Sequence, residues 1–255
     1  MSKSSKKAKR QILKRFVKLL YPLYLSIIQP LRSHPLLIRY LFKVRLYKGE
    51  KVSWDFTTLA LKHALYKRLS RHHDPNVSVL EIGVGQAALL CIYLARKFGI
   101  KADGVDIVAD RVSRSNRVAR YNSIPLRIWR SDFFQKIEGK YDLIFWNASY
   151  IPTGFGEHYN LTGREDLGDK RAWDGGSDGT HAIKRFLNQA PRYLTPNGEI
   201  LLGVNTFYVS KTLIYQILRD TFLVTSERIS TPFNPSAVYV LRYKEKDNQE
   251  TPNGN

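Results

Sequence analysis

A single cysteine, Cys91, leaves no partner for an intramolecular disulfide and no C-x-x-C for a metal or a redox pair. No H-E-x-x-H occurs either, and the six histidines are scattered, so the sequence points to no metal site. Lying in an apolar helical stretch, the lone thiol reads as a buried structural group and fits a reducing compartment, the cytoplasm. A membrane-spanning run is also missing. The uncharged stretch Leu19 to Leu31 is 13 residues long and contains Pro22 and Pro30, short of the ~20 apolar residues a spanning helix needs. It can lie on a membrane but not readily cross one. Acidic residues are absent before Glu50. Residues 1–51 carry 14 Lys and Arg against that one carboxylate, a net +13, which leaves +6 of the chain's +19 for the other 204 residues.

The basic character therefore belongs to an extension. We expect three parts: a basic helical extension over 1–51, an α/β domain over 52–244, and a polar, disordered tail over 245–255. At 255 residues and 43% apolar content the chain can bury one good core. A lysine-rich arm, Ser2 to Arg10, leads into a basic amphipathic helix from Gln11, with Ile12, Leu13, Phe16 and Leu20 on one side and Arg10, Lys14 and Lys18 on the other. Three roles stay open for it. A removable signal or transit peptide would lack acidic residues in this way, but no small-residue cleavage site follows and lysine dominates the arm. Attachment to RNA, the ribosome or an anionic membrane surface would use the charge. Packing against the following domain would use the apolar side.

Past the extension, Val44 to Trp54 reads as a short hairpin and Thr57 to Leu69 as a helix, with Leu61, Ala64, Leu65 and Leu69 on one face. His72 and His73 read as a solvated loop. Alternation then begins. Strands are expected at Val77 to Ile82, Ala102 to Ile107, Leu126 to Trp129 and Tyr141 to Trp146, with helices at Ala87 to Phe98 and Ala109 to Tyr121. After a long segment, Asn147 to Gly179, come a helix His181 to Leu194, a turn Thr195 to Gly198, a strand Glu199 to Val204, a helix Lys211 to Asp220, and strands at Phe222 to Ile229 and Ala237 to Tyr243. The last two can pair antiparallel. Together these imply a doubly wound, mostly parallel seven-stranded sheet of Rossmann-like type.

The organising stretch is Val77 to Ala88, VSVLEIGVGQAA, an apolar strand turning into a helix through Gly83 and Gly85. Two cofactors fit this turn. Gly83, Gly85 and Ala88 satisfy the G-x-G-x-x-A form of the dinucleotide fingerprint, with Asp106 about 20 residues on. Glu81, two residues before the first glycine, instead makes the E-x-G-x-G arrangement typical of class I S-adenosylmethionine methyltransferases. An anion there suits an amino group and a sulfonium better than a pyrophosphate, which tilts the choice.

Further candidates close the other strands, where ligands bind in such sheets. Asp106 can accept both ribose hydroxyls, and Asp132 can accept from an adenine amino group with Phe133 beside the ring. Asn147 ends the fourth strand in FWNASYIP. Its side-chain carbonyl and the main-chain carbonyl of Ala148 could accept both protons of a planar NH2, with Tyr150 stacked on the plane. Nitrogens of that kind are poor nucleophiles. Two fixed acceptors favour the developing charge and align nitrogen, methyl and sulfur.

NASYIP, followed by RAWDGGSDGTHAIKRFLNQAPRYLTPNGEILL, resembles the PrmC/HemK family of release-factor glutamine methyltransferases, whose pattern is N-P-P-Y-I-P and then a GG-x-DG turn before a helix. The resemblance covers Val77 to Val204. It implies that Glu81, Gly83, Gly85, Asp106, Asp132 and Asn147 contact S-adenosylmethionine, and that Asn147, Ala148 and Tyr150 hold an acceptor amide in a protein substrate such as a translation factor. Ala148 and Ser149 stand where the family has prolines, which keeps the main-chain acceptor but lowers its rigidity. Ala87 replaces a glycine, and the basic extension does not resemble the family's substrate-gripping helical domain. An adenine amino group in nucleic acid, a small molecule, and a non-catalytic cofactor-binding scaffold are the competing readings.

Overall fold

The computed structural model describes residues 29–52, 54–71, 74, 76–164, 168–230 and 234–244. The expected arm, the helix from Gln11, the His72–His73 loop and the tail over 245–255 lie outside them. Seven strands form one sheet: β1 (Val79–Ile82), β2 (Asp103–Asp106), β3 (Arg127–Arg130), β4 (Tyr141–Asn147), β5 (Leu194–Asn205), β6 (Leu223–Ser230) and β7 (Ser236–Tyr243). Their order is β3-β2-β1-β4-β5-β7-β6. All neighbours are parallel except β7, which runs antiparallel to both β5 and β6. Among the described residues the helices are α1 (Gln29–Arg32), α2 (Pro35–Phe42), α3 (Phe56–Leu69), α4 (Leu89–Phe98), α5 (Ala109–Tyr121), α6 (Thr153–His158), α7 (His181–Gln189) and α8 (Lys211–Arg219).

Both faces of the sheet are covered, so the central strands are apolar at almost every position and the two-residue repeat sorts side chains into two cores. Phe145, Leu201, Val238 and Val240 face α2, α3 and α4. Their neighbours Ile144, Trp146, Ile200, Leu202, Tyr239 and Leu241 face α7 and α8. A polar knot closes the far end: the buried Asp103 carboxylate accepts from Nε of the largely exposed Arg127 at 2.7 Å and from the Tyr141 hydroxyl at 2.8 Å.

Two expectations are corrected. Val44 to Trp54 forms no hairpin; its described residues are irregular, and Val44, Val52 and Trp54 turn inward with Ile38 and Phe42 of α2 onto the α3–α4 layer. Alternation there reported burial, not a pairing partner. Part of the expected extension is thus packed against the domain core. Thr195 to Gly198 is not a free turn. β5 pairs Leu194 with Tyr141 and then Glu199 with Leu143, five steps on one strand against two on the other, so the Pro-Asn-Gly signal is absorbed as a bulge.

Helix α3 lies unusually close to β5. A Cβ on Gly203 would stand 2.8 Å from both Leu61 Cδ1 and Thr57 Cγ2. We expect Gly203→Ala to cost about 1–3 kcal/mol by overpacking, read as a lower thermal midpoint; an unchanged midpoint would refute the tight packing. That closeness matters because Gly203 is paired with Asn147, at the mouth of the site.

Candidate active site

Strand order reverses between β1 and β4, and a cavity of about 530 Å³ opens at the carboxyl ends of the strands there. The expected cofactor and acceptor residues line it: Glu81, Gly83, Gly85, Asp106, Asp132 and Phe133, together with Asn147, Ala148 and Tyr150. Among the described residues no three His, Cys, Asp or Glu side chains gather as a metal site.

The first turn is built by main chain. Gly83 and Gly85 sit at φ +69° and +67°, a region open to glycine without strain. The Val105 carbonyl accepts from the N–H of Gly83 at 2.7 Å and of Val84 at 3.0 Å, which folds the turn over β2. Asp106 holds its far side, accepting from the N–H of Gly85 at 3.0 Å and of Val108 at 2.9 Å. Burial pushes the Asp106 carboxyl upward despite these donors and the nearby Arg111. Below it, Glu81 is 6% exposed and receives the Cys91 thiol at 2.9 Å. Burial raises its pKa to about 8, and the Asp106 charge adds to the shift. Cys91 is itself pushed well up by burial and by Glu81, so it is a buried donor and not a nucleophile.

Beyond β3, Asp132 is held by a residue that pattern reading did not flag. Arg185 of α7 donates to its carboxylate at 2.7 Å and lies 5.1 Å over the Phe133 ring. Phe133 has φ +48°, a strained conformation for a bulky side chain. Its ring meets Trp146 edge-on at 5.1 Å.

At the end of β4 the Asn147 side chain is oriented by the start of α3. Its NH2 donates to Asp55 at 3.0 Å and to Thr58 Oγ1 at 3.2 Å. The other end of the amide, Oδ1, is buried with no hydrogen-bond partner. Ala148 is anchored through its N–H to the Gly203 carbonyl at 3.0 Å. Tyr150 is 6% exposed; its hydroxyl donates to Asp55, lies 3.2 Å from Thr57 Oγ1, and its ring stacks on Tyr208 at 5.8 Å. Among the described residues, the long segment after it forms α6 and two single 3₁₀ turns, and it contributes Trp173 and Asp174 to the cavity wall. Asp55 and Thr58 were missed in the sequence: the local D-x-x-T pattern signals a helix cap and nothing of β4.

No family model matches the chain. A protein of Methanocaldococcus jannaschii, provisionally named a protein N5-glutamine methyltransferase, is 33% identical over 159 residues, 62% of this chain and 77% of that protein. The release factor glutamine methyltransferase of Agrobacterium fabrum is 29% identical over 143 residues, 55% of this chain and 47% of that enzyme. The ribosomal RNA small subunit methyltransferase C of Aeromonas hydrophila subsp. hydrophila is 26% identical over 154 residues, 60% of this chain and 37% of that enzyme. The chain thus matches less than half the length of these two bacterial relatives. Among solved structures, a methyltransferase from Pyrococcus furiosus superposes with a TM-score of 0.59 at 16% identity, covering 86% of this chain and 98% of that one, a likeness of fold.

Proposed function

The chain belongs to the protein N5-glutamine methyltransferase family of class I S-adenosylmethionine-dependent enzymes, and on that premise we propose that its acceptor is the side-chain amide nitrogen of a glutamine in a protein. The observation that carries this reading is the buried, unpartnered Asn147 Oδ1, whose amide has its NH2 end held by Asp55 and Thr58. A planar NH2 supplies what that oxygen lacks. Leaving such a group unsatisfied costs about 1–3 kcal/mol.

The cavity fits the cofactor. Glu81 is buried with a thiol and a second carboxylate as the neighbours acting on it, which suits an ammonium group; Asp106 keeps acceptor capacity for hydroxyls; Phe133 and Trp146 offer apolar surface to a base. When bound, S-adenosylmethionine supplies a methyl group made electrophilic by its sulfonium. Asn147 Oδ1 and the Ala148 carbonyl would accept hydrogen bonds from the two N–H groups of the amide, and Tyr150 would pack on the amide plane. Holding nitrogen in this way offsets its weak nucleophilicity by alignment and by favouring the positive charge that develops on it.

We assign this work to residues 52–244, with 1–51 as an extension whose described part packs on that domain's core and 245–255 as a tail. The net +13 of residues 1–51 supports a polyanionic neighbour: RNA, the ribosome or an anionic membrane surface, in a cytoplasmic and at most peripheral protein. That charge also favours a second reading, an adenine amino group in nucleic acid, which presents the same planar NH2. Labelled-methyl transfer from S-adenosylmethionine into cell lysate, with and without nuclease, separates the two. We expect label in protein, insensitive to nuclease and found on glutamine by peptide mass spectrometry. Label lost with nuclease would replace this reading by the second.

A further inference from the structure

Asp55 begins as an ordinary helix cap. It has extended backbone, φ −128° and ψ 178°, and its Oδ1 accepts from the Thr58 N–H at 2.9 Å while the Thr58 hydroxyl returns the contact. A cap needs no more than this. Yet the same carboxylate also takes the Asn147 NH2 on Oδ1 and the Tyr150 hydroxyl on Oδ2, partners 92 and 95 residues further on. Both oxygens are thus committed to the two side chains that face the acceptor.

The consequence follows from donor and acceptor inventory. A carboxylate accepts and does not donate, so only the NH2 end of Asn147 can face it. The carbonyl end must then turn away, and it is this Oδ1 that stands buried and unpartnered. A flipped amide would offer NH2 to an incoming NH2, donor against donor. Tyr150 is fixed by the same logic: burial first, and then the Asp55 charge, push its phenol well above the usual range, so it stays protonated and keeps donating. Thr57 and Ser236 extend the chain, with Thr57 Oγ1 3.2 Å from Tyr150 and 3.1 Å from Ser236 Oγ. The closeness of α3 to Gly203 is what lets Asp55 reach across.

We propose that Asp55 is a positioning residue that sets the polarity of the Asn147 amide and the seat of the Tyr150 ring, and so selects an acceptor that donates two hydrogen bonds. The proposal rests on the reading of a planar NH2 acceptor. Asp55→Ser tests it, because serine keeps the helix cap and loses both long-range contacts. We expect kcat to fall roughly 100-fold, while the Kd for S-adenosylmethionine stays within about twofold and the thermal midpoint drops by only a few degrees, the effect of two lost hydrogen bonds with the cap retained. In an Asn147→Ala background the same change should cost much less, because only the Tyr150 contact is left to lose. Equal losses in both backgrounds, or full activity of Asp55→Ser, would overturn the role.

A readout without any acceptor keeps the proposal separate from the reading it rests on. The side-chain NH2 resonances of Asn147, identified by their loss in Asn147→Ala, should exchange slowly with solvent in the wild type and rapidly in Asp55→Ser. Slow exchange in both would sink the role of Asp55 even if the enzyme is a glutamine methyltransferase. A wild type that methylates neither glutamine nor adenine, yet shows the exchange difference, would sink the acceptor reading and leave the positioning contact standing.

Discussion

Asn147→Ala is expected to lower kcat by roughly 10²–10³, the range seen when one preorganised hydrogen-bonding group is removed from a reacting centre. The change deletes the acceptor proposed to meet the substrate and frees Asp55 to bind water, so both alignment and charge stabilisation would be lost. Affinity for S-adenosylmethionine should weaken by no more than about tenfold, because on the proposed reading Glu81 and Asp106 hold other parts of the cofactor. Stability should fall by about 1–2 kcal/mol, from two broken hydrogen bonds with Asp55 and Thr58. Asn147→Asp is nearly isosteric but instructive. It would set a carboxylate against that of Asp55 where an NH2 now stands at 3.0 Å, and two such groups cannot both ionise cheaply. Its residual activity should therefore decline as pH rises. Single-turnover transfer to a glutamine peptide checks both variants; activity in Asn147→Ala within about threefold of wild type would remove the amide from the mechanism.

That prediction was partly legible in the sequence, and the division has a physical cause. Asn147 could be placed because it follows an apolar strand directly, and a strand's end is a local property. Glu81 and the two glycines were readable for the same reason. The sheet followed from alternation, with β7 reversed because only a short connection separates it from β6. What could not be read was any contact that depends on strand order. Asp55 caps its own helix in a way four residues reveal, yet its partners Asn147 and Tyr150, at and just past the end of β4, become neighbours only once α3 lies across β4 and β5. Arg185 is one of two cations on α7, beside Lys184, until the sheet brings β3 alongside, where Asp132 and the Phe133 face receive it. The failed hairpin at Val44 to Trp54 teaches the converse. Period-two burial is not pairing, and there the buried side chains belong to an irregular strap under Phe42 and Trp54, whose rings meet edge-on at 5.5 Å.

Glu81→Gln should produce two opposite effects, more stable free protein and weaker cofactor binding. The carboxyl is raised from 4.5 to about 8, chiefly by burial and with the Asp106 charge adding to it. Between those values the folded chain holds a proton that the unfolded chain has released. Stability associated with Glu81 is thus full below pH 4.5 and is lost as pH rises to about 8, at about 1.4 kcal/mol per pH unit and at most roughly 5 kcal/mol. Glutamine cannot ionise, so the variant's thermal midpoint should exceed that of the wild type at pH 8 and match it near pH 5. An ammonium bound beside Glu81 reverses the balance. It favours the carboxylate, so binding below pH 8 releases a proton and the Kd tightens as pH rises from 6 toward 8. Losing that charge-assisted contact should weaken S-adenosylmethionine by roughly 10- to 100-fold at pH 8, the fold-change of about 1.5–3 kcal/mol. Titration calorimetry in buffers of different ionisation heat reads the released proton directly. If wild type and Glu81→Gln bind with equal Kd and equal proton release at pH 7, Glu81 does not meet the cofactor's amine, and the buried carboxyl with its Cys91 donor is a feature of the fold alone.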